Sequence, residues 1–171
     1  MMRNILFILL DQLRADSLGF VGKFPVRTPN IDRLAANGTV FNNAYCPNPV
    51  CVPARASIMT GVNSYDHGVY YNDQNWPESL STFADKLSDN CYYTSLVGKT
   101  HFFPVKKAAG FQKIFVEEDY KAVLQRNGLG KKPPRTKKPT DVEGLNRAYP
   151  IEPTYLPAAY YMPNFLTERA L

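Results

Sequence analysis

Residues 51–61 read Cys51-Val52-Pro53-Ala54-Arg55-Ala56-Ser57-Ile58-Met59-Thr60-Gly61. The pattern predicts a short helix: Pro53 suits the first helical turn, where a missing N–H costs nothing, and Gly61 suits the C-terminal stop. Cys51 then stands at the helix entrance. Backbone N–H groups and the macrodipole favour an anion there, so a nucleophile at Cys51 would meet a sulfate or phosphate already partly neutralised. On the residues alone, a capped helix with a core thiol accounts for the same stretch.

Length places that helix in one domain: 171 residues bury about two-thirds of their unfolded surface. An apolar fraction of 44% is ordinary for a globular protein. Three cysteines without periodic spacing give no disulfide framework, so a reduced, cytoplasmic setting is expected. The opening Met1-Met2-Arg3-Asn4-Ile5-Leu6-Phe7-Ile8-Leu9-Leu10 pairs a positive residue with an apolar run. That run is short, meets Asp11 at once and has no small-residue cleavage site, so neither a signal peptide nor a membrane span is expected.

Residues 5–10 instead suit a strand buried on both faces of a largely parallel sheet. The run ends in Asp11-Gln12. Ligand crevices in open α/β sheets lie outside the carboxyl ends of strands, which makes Asp11 a site candidate, with a loop carboxylate that caps the next segment as the alternative. Residues 28–38 predict a helix opened by Thr28-Pro29, with Ile31, Leu34 and Ala35 on one face and Gly38 as the stop. Residues 39–45 have the content of a strand, and Pro47, Pro49 and Pro53 force an irregular approach to Cys51.

Beyond Gly61, residues 62–77 read as loop. His67 lies in it, and a lone loop histidine is more often a surface group or a support to other residues than a ligand. Ser81 is expected to cap a helix through Asn90 with Phe83 and Leu87 on its buried face, and residues 92–97 to form a second internal strand. That strand ends in Gly98-Lys99-Thr100-His101. In an extended segment Lys99 and His101 project to the same side and can grip one oxyanion. Gly-Lys-Thr is also the tail of a phosphate-binding P-loop, but that loop needs a glycine where Tyr93 stands, so the nucleotide reading fails. A lysine and a histidine decorating a strand end is the plainer alternative.

From Pro104 the chain turns basic and proline-rich, most densely at Lys131-Lys132-Pro133-Pro134-Arg135-Thr136-Lys137-Lys138-Pro139. Without interleaved aromatic residues this is expected to be a solvated loop or lid rather than a nucleic-acid arm. The organisation expected is therefore a core at 1–103, a basic loop or lid at 104–165 and the start of a helix at 166–171.

Cys-x-Pro-x-Arg followed by Thr-Gly resembles the signature of the type I sulfatases, matched here by Cys51, Pro53, Arg55, Thr60 and Gly61. The run at 28–34 and the Gly-Lys-x-His at 98–101 resemble further segments of that family, in the same order. The resemblance implies an α/β fold, an alkaline-phosphatase-like sandwich with a largely parallel central sheet flanked by helices, of which this chain is the N-terminal part. It implies that Cys51 is oxidised to formylglycine by a maturation enzyme. It places Asp11, Gln12 and residue 51 at a divalent cation (calcium first, manganese or magnesium as alternatives), and Lys99 and His101 on the substrate sulfate. Gln12 stands where the family usually has a second acid, as in branches resembling choline sulfatase and phosphonate monoester hydrolase. A neutral amide oxygen ligates a hard cation but brings no charge.

The implied chemistry is attack on the sulfur of an anionic sulfate ester by the hydrated aldehyde, with Arg55 and Lys99 stabilising oxygen charge and His101 orienting the sulfate or assisting the leaving group. Two alternatives stand beside it: a phosphonate monoester or phosphodiester hydrolase on the same site, and a truncated, catalytically silent product.

Overall fold

The computed structural model describes residues 3–77, 79–102, 108–130 and 156–171. The chain divides into two units, Met1–Tyr45 and Cys46–Leu171.

In the first unit, residues 3–10 lead into a turn at Asp11-Gln12, and Gln12 takes the left-handed backbone region with φ 57°. Two 3-10 turns, Ala15–Ser17 and Gly19–Val21, precede helix α1, Pro29–Asn37. The predicted helix is there, with Thr28 as N-cap residue, Pro29 in the first turn and Gly38 at its end. Thr28 works outward from that cap. Its Oγ1 accepts the Gly19 N–H at 2.7 Å and donates to Asp32 Oδ1 at 2.6 Å, and the same carboxylate accepts the Phe20 N–H at 3.1 Å. The four-residue spacing of Thr28 and Asp32 thus fastens a 3-10 turn to the first turn of α1. A Cβ on Gly19 would sit 2.7 Å from Asp32 Oδ2 and 3.0 Å from Thr28 Oγ1, so any larger residue would have to displace the Thr28–Asp32 pair.

Two expected strands are not formed in this unit. Residues 5–10 carry no strand assignment and their side chains are exposed, Leu6 at 79%. A strand buried on both faces needs neighbours at both edges and layers above and below, whereas the described strands are two short ones in the second unit. Residues 39–45 turn at Asn42-Asn43 instead of extending, since adjacent asparagines favour a turn over a ladder.

The second unit contains α2 (Cys51–Thr60), α3 (Ser64–His67), α4 (Phe83–Asp89), β1 (Ser95–Val97), β2 (Lys113–Phe115), α5 (Glu117–Arg126), a 3-10 turn at Ala158–Tyr160 and α6 (Met162–Ala170). β1 and β2 pair in parallel with Ser95 opposite Lys113, Leu96 opposite Ile114 and Val97 opposite Phe115. One core gathers Val52, Ala56 and Met59 of α2 with Val69, Trp76, Phe102 and Ala109. Trp76 and Phe102 meet edge to face, with ring centroids 5.0 Å apart. A second core joins Tyr120 and Leu124 of α5 to Phe165 of α6.

Several boundaries differ from expectation, among them the start of β1 at Ser95 rather than at residue 92. The cap of α4 is Thr82, not Ser81: Thr82 Oγ1 accepts the Asp85 N–H at 3.1 Å while Asp85 Oδ2 accepts the Thr82 N–H at 2.7 Å. Only from Thr82 does an acid fall three residues on, which completes the reciprocal pair. The segment at 104–165 is not all loop, because β2 and α5 lie within it. Glu117, Glu118 and Asp119 fill the first turn of α5 and Arg126 its last, so a charged surface conceals the four-residue spacing of buried Tyr120 and Leu124. The basic run at 131–139 falls outside the described residues. The final helix begins at Met162 rather than 166, with Pro163 in its first turn.

Candidate active site at the entrance of helix α2

Cys51 is the first residue of α2 and is partly exposed. Val50 provides no side-chain cap. The caps come from elsewhere in the chain: Asn72 Oδ1 accepts the Val52 N–H at 3.0 Å, and Asn48 Oδ1 accepts the Val50 N–H at 3.0 Å. Asn48 Nδ2 reaches the Tyr70 carbonyl at 3.4 Å, which ties the approach to Cys51 to the loop after α3. Neither asparagine was singled out from sequence. A cap contributed twenty residues downstream leaves no local signal. Gly61 ends the helix in the left-handed region, φ 70°, as predicted.

Arg55 lies one turn beyond Cys51, on the same face of α2, and is 9% exposed. Its Nη1 donates to the Lys99 carbonyl at 2.7 Å. This bond brings two of the predicted site segments together, the Cys51–Arg55 turn and the Gly98–His101 loop. The loop hangs between two anchors. At one end the Gly98 N–H continues the ladder to the Phe115 carbonyl at 2.8 Å, and at the other Phe102 is buried in the α2 core. Gly98 has φ 111°, a conformation that excludes a side chain.

The loop is not extended as expected. His101 has φ 53°, so Lys99 and His101 do not follow the alternation of a strand. Lys99 is exposed, Thr100 is buried at 3% and His101 is half-buried. A non-glycine residue in the left-handed region costs about 1–2 kcal/mol. Gln12 and His101 are both candidate site residues held that way, and such strain concentrates where a side chain must be aimed.

His67 is 3% exposed, the last residue of α3 rather than a loop group. Burial pushes its pKa below the ordinary imidazole value.

Asp11 and Gln12 are consecutive in the first unit, and both are exposed. Their donors are of the right kind for a hard divalent cation, carboxylate and amide oxygen. In number they fall short: among the described residues no three His, Cys, Asp or Glu side chains are grouped as a metal site. Asp11 and Gln12 are therefore not a metal site by themselves.

The sulfatase family model matches residues 3–169. The chain is 39% identical over 129 residues to an arylsulfatase of Clostridium perfringens, covering 75% of this chain and 27% of that protein. It is 35% identical over 119 residues to a choline-sulfatase of Rhizobium meliloti, covering 70% of this chain and 23% of the relative. The chain thus spans about a quarter of the length of these curated relatives. In three dimensions it is similar to the phosphonate monoester hydrolase of Agrobacterium radiobacter, with TM-score 0.72 and 23% identity over 94% of this chain and 35% of the other. That likeness is one of fold.

Proposed function

Because this chain belongs to the sulfatase family and has its alkaline-phosphatase-like α/β fold, we propose that it supplies the nucleophile-bearing part of a sulfuric ester hydrolase. The observation that carries this reading is the 2.7 Å bond from Arg55 Nη1 to the Lys99 carbonyl. It couples the helix that begins with Cys51 to the loop that bears Lys99 and His101.

In this reading Cys51 is converted to formylglycine by a separate maturation enzyme and becomes the group that attacks sulfur. Its place at the start of α2 puts a tetrahedral anion near the positive end of the helix dipole. Arg55 adds a fixed cation one turn away and holds the loop. Lys99, exposed on that loop, supplies a positive charge for a sulfate oxygen, and His101 orients the sulfate or passes a proton to the leaving alcohol. Asp11, Gln12 and residue 51 are the cation ligands this chain contributes, with calcium as the first choice. Such a cation supplies positive charge to the sulfate oxygens when bound. The chain's cysteine usage supports a cytoplasmic setting.

Gln12 keeps a second reading in view, hydrolysis of phosphonate monoesters or phosphodiesters, since sulfate and phosphate differ little in shape. The test is a paired assay of the protein at family length, after maturation, with an aryl sulfate and an aryl phosphonate. Sulfate ester turnover that vanishes in Cys51→Ala is the expected result. Cleavage of the phosphonate with the sulfate inert would favour the second reading, and turnover that survives Cys51→Ala would remove both.

A further inference from the structure

Cys51 and Arg55 share one face of α2, whereas Pro53 and Ser57 share the opposite one, because two residues turn a helix by about 200°. That opposite face is where His67 sits. α3 is capped by Asn63, whose Oδ1 accepts the Tyr65 N–H at 3.2 Å, and is closed by Gly68, whose N–H returns to the Ser64 carbonyl. His67, its last residue, is buried. The Val69 N–H donates to His67 Nδ1 at 3.1 Å. A nitrogen that accepts carries no proton, so the ring proton is on Nε2. Nε2 lies 2.9 Å from Ser57 Oγ and therefore donates to it.

We infer that His67 is a positioning residue of the Cys51 site: as its neutral, Nε2-protonated tautomer it clamps the Pro53 and Ser57 face of α2 and so fixes the direction in which Cys51 and Arg55 point. The clamp rests on the reading of Cys51 as the reactive position. It has two points, the Val69 N–H on Nδ1 and Ser57 Oγ on Nε2, and it acts from behind the helix without touching substrate. An imidazole used only as filler would need no particular tautomer, and an apolar side chain of similar volume would replace it. A clamp requires a donor at the position of Nε2 and an acceptor at that of Nδ1.

The test uses the full chain with Cys46 and Cys91, both exposed, replaced by serine, so that Cys51 is the sole thiol. The chain is kept from the maturation enzyme, which makes the outcome independent of conversion. Nitrogen-15 spectra of the imidazole at neutral pH should show His67 with a bare Nδ1 and a protonated Nε2. His67→Leu should change the rate of Cys51 alkylation by iodoacetamide about threefold or more. His67→Gln, which keeps an N–H donor toward Ser57, should restore much of the parent rate, and Ser57→Ala should add nothing to the effect of His67→Leu. An Nδ1-protonated tautomer in the parent would overturn the inference, and so would an unchanged alkylation rate in a His67→Leu chain that still unfolds cooperatively. If His67→Leu does not fold, the parent's tautomer and the His67→Gln rate decide. Failure of Cys51 to be converted by a maturation enzyme, with these results intact, would remove the sulfatase reading and leave the clamp standing.

Discussion

Arg55 donates from Nη1 to the backbone carbonyl of Lys99 across 2.7 Å, from a helix to a loop forty-four residues away. The acceptor is the backbone and not a side chain, so the bond fixes the course of the loop whatever the Lys99 ammonium is doing.

Breaking that bond should be costly because Arg55 is buried. Arg55→Met should lower the unfolding free energy by about 2 kcal/mol, the range for a hydrogen bond from a charged donor. Arg55→Lys should recover only part of this, since an ammonium has no planar fork. Urea midpoints of the three chains measure both effects, and equal midpoints would show that the loop is held by other contacts.

The reciprocal cap at Thr82 and Asp85 gives a second test. Thr82→Ala removes the acceptor of the Asp85 N–H and also the donor to the Ala109 carbonyl at 2.8 Å. The expected loss is about 2 kcal/mol, whereas Ser81→Ala should change little. Similar losses at both positions would put the helix start at Ser81.

Acid should act through Asp16 in the first unit. Hydrogen bonds and charge from Arg14, then Lys23, bring its pKa down to about 2. The folded value lies below the ordinary one of about 3.9, so its contribution is present above pH ~4 and is lost as the pH falls toward about 2. Asp16→Asn should remove that part of the acid dependence, read by thermal unfolding at a series of pH values. A carboxyl carbon titration with an ordinary midpoint would contradict the ion pairs.

His67 should act at higher pH. Burial lowers its pKa. A histidine with a depressed folded pKa favours the fold when neutral, so its contribution is full above the unfolded value of about 6.5 and declines as pH falls below it. His67→Gln should flatten the stability profile in that window. An unaltered slope would mean that the decline belongs to other groups.

The elements legible in the sequence are those whose signals are local. Pro53 and Gly61 mark the ends of α2, and Thr28, Pro29 and Gly38 mark α1, because caps and stops act within one turn. The run at 5–10 is unmistakably apolar, yet nothing in its own residues says which strands stand beside it. α5 was hidden for the opposite reason: charge suited to a helix surface resembles a solvated loop when the Tyr120 and Leu124 spacing is overlooked. At the site, Cys51, Arg55, Lys99 and His101 were readable as pattern. Asn72, Asn48 and Ser57 were not, since each acts on a partner that only the fold brings near.

Every catalytic role assigned around helix α2 depends on Cys51 being the precursor of the nucleophile. The direct measurement is the mass of the peptide containing Cys51 after co-expression with a formylglycine-generating enzyme. The expected peptide is lighter by the difference between a thiol and an aldehyde, reactive toward hydrazides and unreactive toward iodoacetamide. A peptide that keeps an alkylatable thiol while a known substrate of the same enzyme is converted in the same cells would contradict that role for Cys51.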